Sequence, residues 1–150
     1  NVQLLQAPGV VVIFNEMIHD ARVVPIDGSA HLPDDIRQWR GDPRGRWEGE
    51  TLVVESTNFN GKTAFRGSGA GLHLEERFTR VGDDRLLYQF TIDDPTSFTK
   101  PWTAVIPMKA TEGPIFEYAC HEGNYGLVNL LAGARAQDAE VAALATREPQ

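Results

Sequence analysis

The sequence predicts a mainly β fold, in which a single antiparallel β-barrel of about seven strands is followed by one C-terminal α-helix. Three observations support this fold class. Fourteen glycines and nine prolines among 150 residues supply many turns, which favours short strands over long helices. Short β-branched and aromatic runs recur at regular spacing, as in barrels and sandwiches. From Tyr125 onward the apolar residues recur at helical spacing instead.

The first half of the chain contains three predicted strands and one long loop. VVVIFNEM at 10–17 is typical of a buried strand, and HDARVVPID at 19–27 continues it or pairs with it. Proline, glycine and charged residues then predict a surface loop at 29–46, and loops of that length are often functional. RWEGETLVVESTNF at 46–59 predicts a strand that is kinked at Gly49.

The second half contains another loop, four predicted strands and the helix. The glycine-rich run RGSGAG predicts a mobile loop over 60–71. The helix is predicted over 125–146, because alanine is frequent there and Asn124 is a suitable N-cap. All elements are assigned to one domain, residues 1–150. The strands are predicted at 72–81, 85–92, 102–110 and 115–122.

Composition argues against several classes of partner. The net charge is −7 and the isoelectric point is near 5.0, so the chain lacks the basic patch that attracts nucleic acid or anionic lipid. No stretch approaches 18 apolar residues. We therefore expect neither nucleic acid nor membrane as a partner. A single cysteine excludes an internal disulfide and a cysteine-rich zinc site.

The strand predicted at 72–81 places a carboxylate on its more apolar face. Alternation puts Glu76 on the same face as Leu74 and Phe78. An ionised carboxylate in an apolar wall is costly unless it is paired. Two alternatives follow for Glu76. It pairs with an arginine such as Arg22 or Arg80, or it is a catalytic acid or base with a raised pKa.

His19 presents the same choice. It shares the odd positions of residues 11–23 with Val11, Ile13 and Val23, so we expect it to point inward. A lone histidine on an apolar face is usually a hydrogen-bonded core residue. The sharper alternative makes His19 and Glu76 an acid–base pair within hydrogen-bond or one-water reach of each other.

The run YACHEGNYG at 118–126 contains two further candidates, His121 and Glu122. In one interpretation the strand ends there and Asn124 caps the helix. In the other, His121 and Glu122 lie at the mouth of the barrel, where functional groups gather. The two interpretations are compatible. Trp102 and Tyr118 are the predicted walls of the ligand site, and Arg22 is a predicted substrate-binding residue.

The sequence demands no cofactor. It has no His-x-His, HExxH or CxxC motif, no GxSxG serine and no phosphate-binding glycine loop. A metal site is an alternative in which His19, His73 and His121 converge, with Glu76 or Glu122 as an oxygen ligand. We predict no cofactor.

Several segments together resemble a known family. GDPRGRWEGETLVVESTNFNGKT, LHLEERFTRV, FTIDDPTSFTKPWTAVIPM and EYACHEGNYG resemble a family of secreted proteins of unknown function that is common in soil bacteria such as Acidobacteria. The resemblance covers most of residues 9–135. It implies an exported protein, secreted or periplasmic, and implies that this chain is the C-terminal portion of a longer precursor. It supplies no catalytic residue. GRW at 45–47 also resembles the Gly-x-Trp of lipocalins, and the predicted barrel is of this lipocalin-like, or calycin, type.

These observations lead to one functional hypothesis and two alternatives. The hypothesis is a small exported enzyme that hydrolyses or eliminates on a small neutral ligand by acid–base chemistry. The first alternative is a lipocalin-like binding protein without catalysis. The second is a histidine-rich metal site, or a structural module that forms homo-oligomers through the C-terminal helix. The catalytic candidates are His19, Glu76, His121 and Glu122, and the substrate-binding candidates are Arg22, Trp102 and Tyr118.

Overall fold

The computed structural model describes residues 1–62, 65–117 and 125–145. These residues contain eight strands in two antiparallel sheets, one short 3-10 turn and one C-terminal helix. The predicted mainly β antiparallel class and the helix are therefore confirmed. Among the described strands, no pairing closes either sheet into a ring. The closed barrel stays a prediction.

The N-terminal sheet has three strands in the order β1-β2-β3. They are β1 (Val2–Ala7), β2 (Val10–Asn15) and β3 (Asp20–Pro25). Strand β1 was not predicted, because this edge strand is mostly exposed and lacks the alternation of a half-buried strand. A 3-10 turn, Met17–His19, joins β2 to β3. The strand predicted at 10–17 therefore ends two residues early.

The second sheet has five strands in sequential order, each antiparallel to its neighbour. Two predicted boundaries were wrong here. The single kinked strand at 46–59 is a hairpin that turns at Gly49, whose φ of +61° suits glycine. The loop predicted at 29–46 ends before Asp42, where the first strand of this sheet begins. The strands are β4 (Asp42–Glu48), β5 (Thr51–Thr57), β6 (His73–Arg80), β7 (Arg85–Asp93) and β8 (Trp102–Lys109).

The last predicted strand, 115–122, is not supported where it is described. Residues 115–117 are not extended into a sheet, and residues 118–122 lie outside the described residues. The loop predicted at 60–71 contains no strand in its described part, residues 60–62 and 65–71.

The two sheets share a hydrophobic core. β2 and β3 contribute Val11, Ile13 and Val24 to the core, which pack with Leu52, Val54 and Phe78 of the five-stranded sheet. A second cluster lies further along the five-stranded sheet and consists of Phe59, Leu72, Leu74, Phe90 and Ile92. Tyr88 packs against both clusters. The inner face of β6 thus runs through both clusters, with Phe78 in the first and Leu74 in the second.

The C-terminal unit is described separately from the sheets. Contacts divide the chain into residues 1–117 and residues 118–150. Helix α1 spans Gly126–Ala145 and confirms the helix predicted at 125–146, with Thr146 and the cap residue Asn124 outside the described residues. No helix in the described part of the chain is long and apolar enough to cross a bilayer.

Candidate functional site: an inter-sheet cleft beside a buried ion pair

A buried ion pair links the two sheets. Nη1 of Arg22, on β3, lies 2.6 Å from Oε2 of Glu76, on β6. Nη2 of Arg22 donates a hydrogen bond of 3.0 Å to Oε1 of the same carboxylate. The Arg22 and Glu76 side chains are only 12% and 5% exposed. The predicted alternative in which Glu76 pairs with Arg22 is therefore the geometry observed.

Tyr88 completes the group. Its hydroxyl donates a hydrogen bond of 2.8 Å to Oε1 of Glu76. Burial and then the neighbouring charge of Glu76 raise the pKa of the Tyr88 phenol far above its usual value. The phenol therefore remains protonated and serves as a donor. For Arg22, burial lowers the pKa, but the charge and hydrogen bonds of Glu76 outweigh it and leave the pKa raised.

Three buried side-chain atoms in the described part of the chain lack a well-directed hydrogen bond. They are Nε of Arg22, Oε2 of Glu76 and Oγ of the fully buried Ser56. Oε2 has its ion-pair partner at 2.6 Å, so its charge is compensated although its hydrogen-bonding capacity is not filled. Arg22, Glu76 and Tyr88 therefore form a polar group inside an apolar core, and the ion pair between Arg22 and Glu76 is its main stabilising contact.

An apolar cleft lies between the two sheets, next to this polar group. Its volume is about 370 Å³, within the roughly 300–1,000 Å³ typical of small-molecule sites. Leu4 from β1 and Val11 from β2 form one wall, opposite Leu52, Phe78 and Leu86 of the five-stranded sheet. Gln6, Trp47, Glu50 and Arg80 complete the lining.

Strand register explains why the cleft lies beside the polar group of Arg22, Glu76 and Tyr88. Phe78 pairs with Leu52, and two residues along the same face Glu76 pairs with Val54. The ring of Tyr88 stacks on that of Phe78 with centroids 4.9 Å apart. Phe78, in the wall of the cleft, is thus the next residue after Glu76 on the inner face of β6. Tyr88 contacts both Phe78 and Glu76.

His19 does not lie where the sequence predicts it. It is exposed at the end of the 3-10 turn, with a φ of +53°, and its ring packs edge-on against Phe14 at 5.0 Å. The prediction that His19 points inward was wrong, because the strand breaks at Met17 and the alternation with Val11 and Ile13 is lost. The hydrogen bonds of Glu76 come from Arg22 and Tyr88 instead.

Trp102 packs against the second core cluster and does not line the cleft. Its ring is 5.7 Å from that of Phe90 and 5.9 Å from that of Phe98. Trp47 is the tryptophan that lines the cleft. His73 is exposed at the start of β6. The remaining candidates, Tyr118, His121 and Glu122, lie outside the described residues.

The structure adds a carboxylate–imidazole pair that sequence analysis missed. Oδ2 of the buried Asp42 lies 3.0 Å from Nδ1 of His31 and accepts the backbone N–H of Leu32 at 2.9 Å. Burial raises the pKa of Asp42, but these bonds and Arg44 outweigh it and hold the pKa below its usual value. Asp42 is therefore an acceptor, and Nδ1 of His31 is the donor. Asp42 fell inside a predicted loop, and no spacing in the sequence connects the two residues.

Metal ligands do not converge in the described part of the chain. No three His, Cys, Asp or Glu side chains there are grouped to hold an ion. His19 is on the 3-10 turn and His73 is on β6, and His121 lies outside the described residues. The metal alternative therefore gains no support from the described geometry.

Comparison with known proteins adds no relative. No protein-family model, curated protein or solved structure matches this chain. The resemblance to exported proteins of soil bacteria therefore stays a prediction, and the function is argued from the geometry of the cleft.

Proposed function

We propose that this protein binds a small molecule whose apolar part occupies the cleft between the two sheets. The observation that carries the proposal is the cleft itself, because its volume and its mainly aliphatic and aromatic lining are those of small-molecule sites. The lining also contains three polar side chains, Gln6, Glu50 and Arg80. A few such groups can orient a small ligand by hydrogen bonds.

The contacts of Glu76 favour ligand binding over acid–base catalysis as the function of this site. A general base must be free to take a proton from a substrate. Both oxygens of Glu76 face Arg22, and Oε1 also accepts from Tyr88. Arg22 and Tyr88 therefore occupy both oxygens of the carboxylate and leave neither free for a substrate. The proposed role of the ion pair is to join the sheets behind the cleft.

The lipocalin-like barrel and the exported location belong to this proposal. β3 and β4 already lie in contact, since a Cβ atom at Gly45 would be 2.7 Å from Ile26 Cγ2 and 2.9 Å from Val24 Cγ1. A curved wall that continues across this contact would enclose the cleft in the manner of a calycin barrel. An exported binder of small molecules also fits the resemblance stated for the sequence.

The test is a titration with the neutral apolar dye N-phenyl-1-naphthylamine, whose fluorescence rises in apolar sites. Gln6→Trp should fill the cleft and weaken dye binding by about tenfold or more, roughly the 1.4 kcal/mol that separates decades of affinity. Leu5→Trp is the matched control, because Leu5 lies on the same strand but outside the cleft lining.

Two results would contradict the proposal. One is a wild-type protein that gives no saturable dye signal. The other is equal binding by the two tryptophan variants, which would place the dye elsewhere on the molecule.

A further inference from the structure

The five-stranded sheet lines the cleft with a row of three side chains. Trp47 on β4 pairs with Leu52 on β5, and Leu52 pairs with Phe78 on β6. Paired residues of antiparallel strands lie on the same face of a sheet, and all three side chains line the cleft. Neighbouring strands are about 4.8 Å apart, so the row extends for roughly 10 Å. It runs from Trp47, which is 46% exposed, to the buried Phe78.

The indole of Trp47 at the exposed end of this row is available to a ligand. In the described part of the chain, its ring forms no aromatic pair and its N–H donates no hydrogen bond. The face of an aromatic ring carries negative charge density, and indole attracts a cation more strongly than the other aromatic side chains do. The exposed end of the row therefore suits a cationic group.

The hairpin that carries Trp47 also supplies a carboxylate to the cleft. Glu48 and Glu55, on the outer face of this hairpin, accept hydrogen bonds from Arg77 at 2.6 Å and from Arg46 at 2.7 Å. Glu50, in the turn between β4 and β5, lines the cleft instead. The Glu50 carboxylate has no hydrogen-bond or ion-pair partner among the residues that the structure describes. Its negative charge is therefore available to a ligand.

The cationic side chain in the cleft lining, Arg80, already has partners in the turn between β6 and β7. Its Nε donates a hydrogen bond of 3.1 Å to the carbonyl oxygen of Gly82, and its Nη2 donates one of 3.3 Å to the carbonyl oxygen of Asp83. The same Nη2 lies 3.8 Å from Oδ1 of Asp83. The net charge of −7 also favours the approach of cations over anions.

We propose that the ligand is an apolar amine whose ammonium head lies at Trp47 and Glu50 and whose tail lies along Leu52 and Phe78. This inference rests on the proposed function and replaces the neutral ligand that the sequence predicted. The indole face and the carboxylate both attract an ammonium group, and the aliphatic and aromatic lining takes the tail. An anionic head would be repelled by Glu50, and a neutral head would leave its charge unused.

The experiment compares three ligands with the same eight-carbon tail, namely octyltrimethylammonium, octanol and octanoate. Each displaces N-phenyl-1-naphthylamine from the wild-type protein. Octyltrimethylammonium should bind about fivefold or more tightly than octanol, and octanoate more weakly than both. The advantage of the ammonium ligand over octanol should shrink in 1 M NaCl, where charges are screened beyond about 3 Å.

Two matched pairs of variants locate the ammonium head. Glu50→Gln should reduce the advantage of octyltrimethylammonium over octanol by about threefold or more, with octanol binding unchanged. Glu112→Gln removes the same charge outside the cleft lining and should retain the advantage. Trp47→Leu should also reduce the advantage, whereas Trp47→Phe should retain most of it, because phenylalanine keeps an aromatic face.

The outcomes separate the inference from the proposed function. Equal affinities for octyltrimethylammonium and octanol in the wild-type protein, or tighter binding of octanoate, would overturn the inference and leave the binding function intact. Equal effects of Glu50→Gln and Glu112→Gln would also overturn the inference, because the head would then lie away from Glu50. Failure of every ligand and of the dye would instead overturn the binding function.

Discussion

At the scale of single residues, Glu76 shows how a charge is accommodated in the shared core. Its neighbours along the inner face of β6 are Leu74 and Phe78, both buried. Desolvation of a lone carboxylate there would cost several kcal/mol. Arg22 compensates the charge from the opposite sheet, and Tyr88 donates a hydrogen bond. The pair therefore fixes how the sheets face each other at the cleft.

We predict that Arg22→Ala destabilises the protein by about 3–5 kcal/mol, because it leaves a buried carboxylate without its counter-ion. Arg77→Ala is the control. Arg77 bonds Glu48 at 2.6 Å on the outer face of the same sheet, and an exposed pair of this kind is worth about 1 kcal/mol or less. Urea denaturation measures both changes. Similar losses for the two variants would show that the inter-sheet pair is not buried in solution.

The lowered pKa of Asp94 predicts how the stability of the fold depends on pH. Hydrogen bonds from the Gly69 N–H, at 2.7 Å, and from the Thr96 hydroxyl, at 2.6 Å, lower the pKa of this buried carboxyl to about 2. The unfolded chain has the higher pKa, so it binds the proton first as the pH falls. The stabilisation is complete above about pH 4 and is lost as the pH falls towards 2.

Denaturation midpoints between pH 7 and pH 2 test this expectation. Asp94→Asn should be less stable than the wild type at pH 7. The difference in denaturation midpoint between the two proteins should become smaller as the pH approaches 2. Asp93→Asn is the matched control for removal of one negative charge. A difference that stays constant over this range would contradict the assigned role of Asp94.

Residue alternation predicted part of the site from sequence. The inward face of β6 follows directly from a period of two, and Arg22 was named as a partner of Glu76 on charge alone. His19 was misplaced because the break at Met17 depends on positive φ values at Ile18 and His19, and no glycine there signals such a turn. His31 and Asp42 are brought together by loop geometry, which has no period to detect.

At the scale of elements, Gly45 lies where β4 packs tightly against β3 and the residue that follows it. A Cβ atom at this position would meet Ile26 and Val24 at less than 3 Å. We predict that Gly45→Ala costs about 1–3 kcal/mol through overpacking. Gly82→Ala is the control, since the nearest atom to its added Cβ is at 3.8 Å. Thermal melts should separate the two variants, and equal melting temperatures would contradict the close packing of β3 on β4.

Elements were predicted best where their signals were local. Strands β6, β7 and β8 and helix α1 have clear periods and turn residues at their ends, and their bounds lie close to those expected. The hairpin of β4 and β5 was predicted as one strand, because Gly49 is compatible with either a kink or a turn. β1 was missed because pairing with β2, rather than its own sequence, makes it a strand.

At the scale of the whole molecule, sheet pairing decides the architecture. Antiparallel strands joined by short turns predicted the class, but the order of strands leaves open whether they form one ring or two sheets. The described strands form sheets of three and five, and the cleft lies where β1 and β2 face β5, β6 and β7. A cleft of this kind depends on long-range packing and is not visible in any local pattern.

The most direct test of ligand binding between the sheets is methyl NMR of the intact protein during titration with N-phenyl-1-naphthylamine. Saturable shifts should be largest for the methyl groups of Leu4, Val11, Leu52 and Leu86, which line the cleft. Val105 and Ile106, exposed on β8, should shift little and serve as internal controls. Shifts confined to exposed methyl groups such as these, with the cleft methyl groups unchanged at saturation, would contradict binding between the sheets.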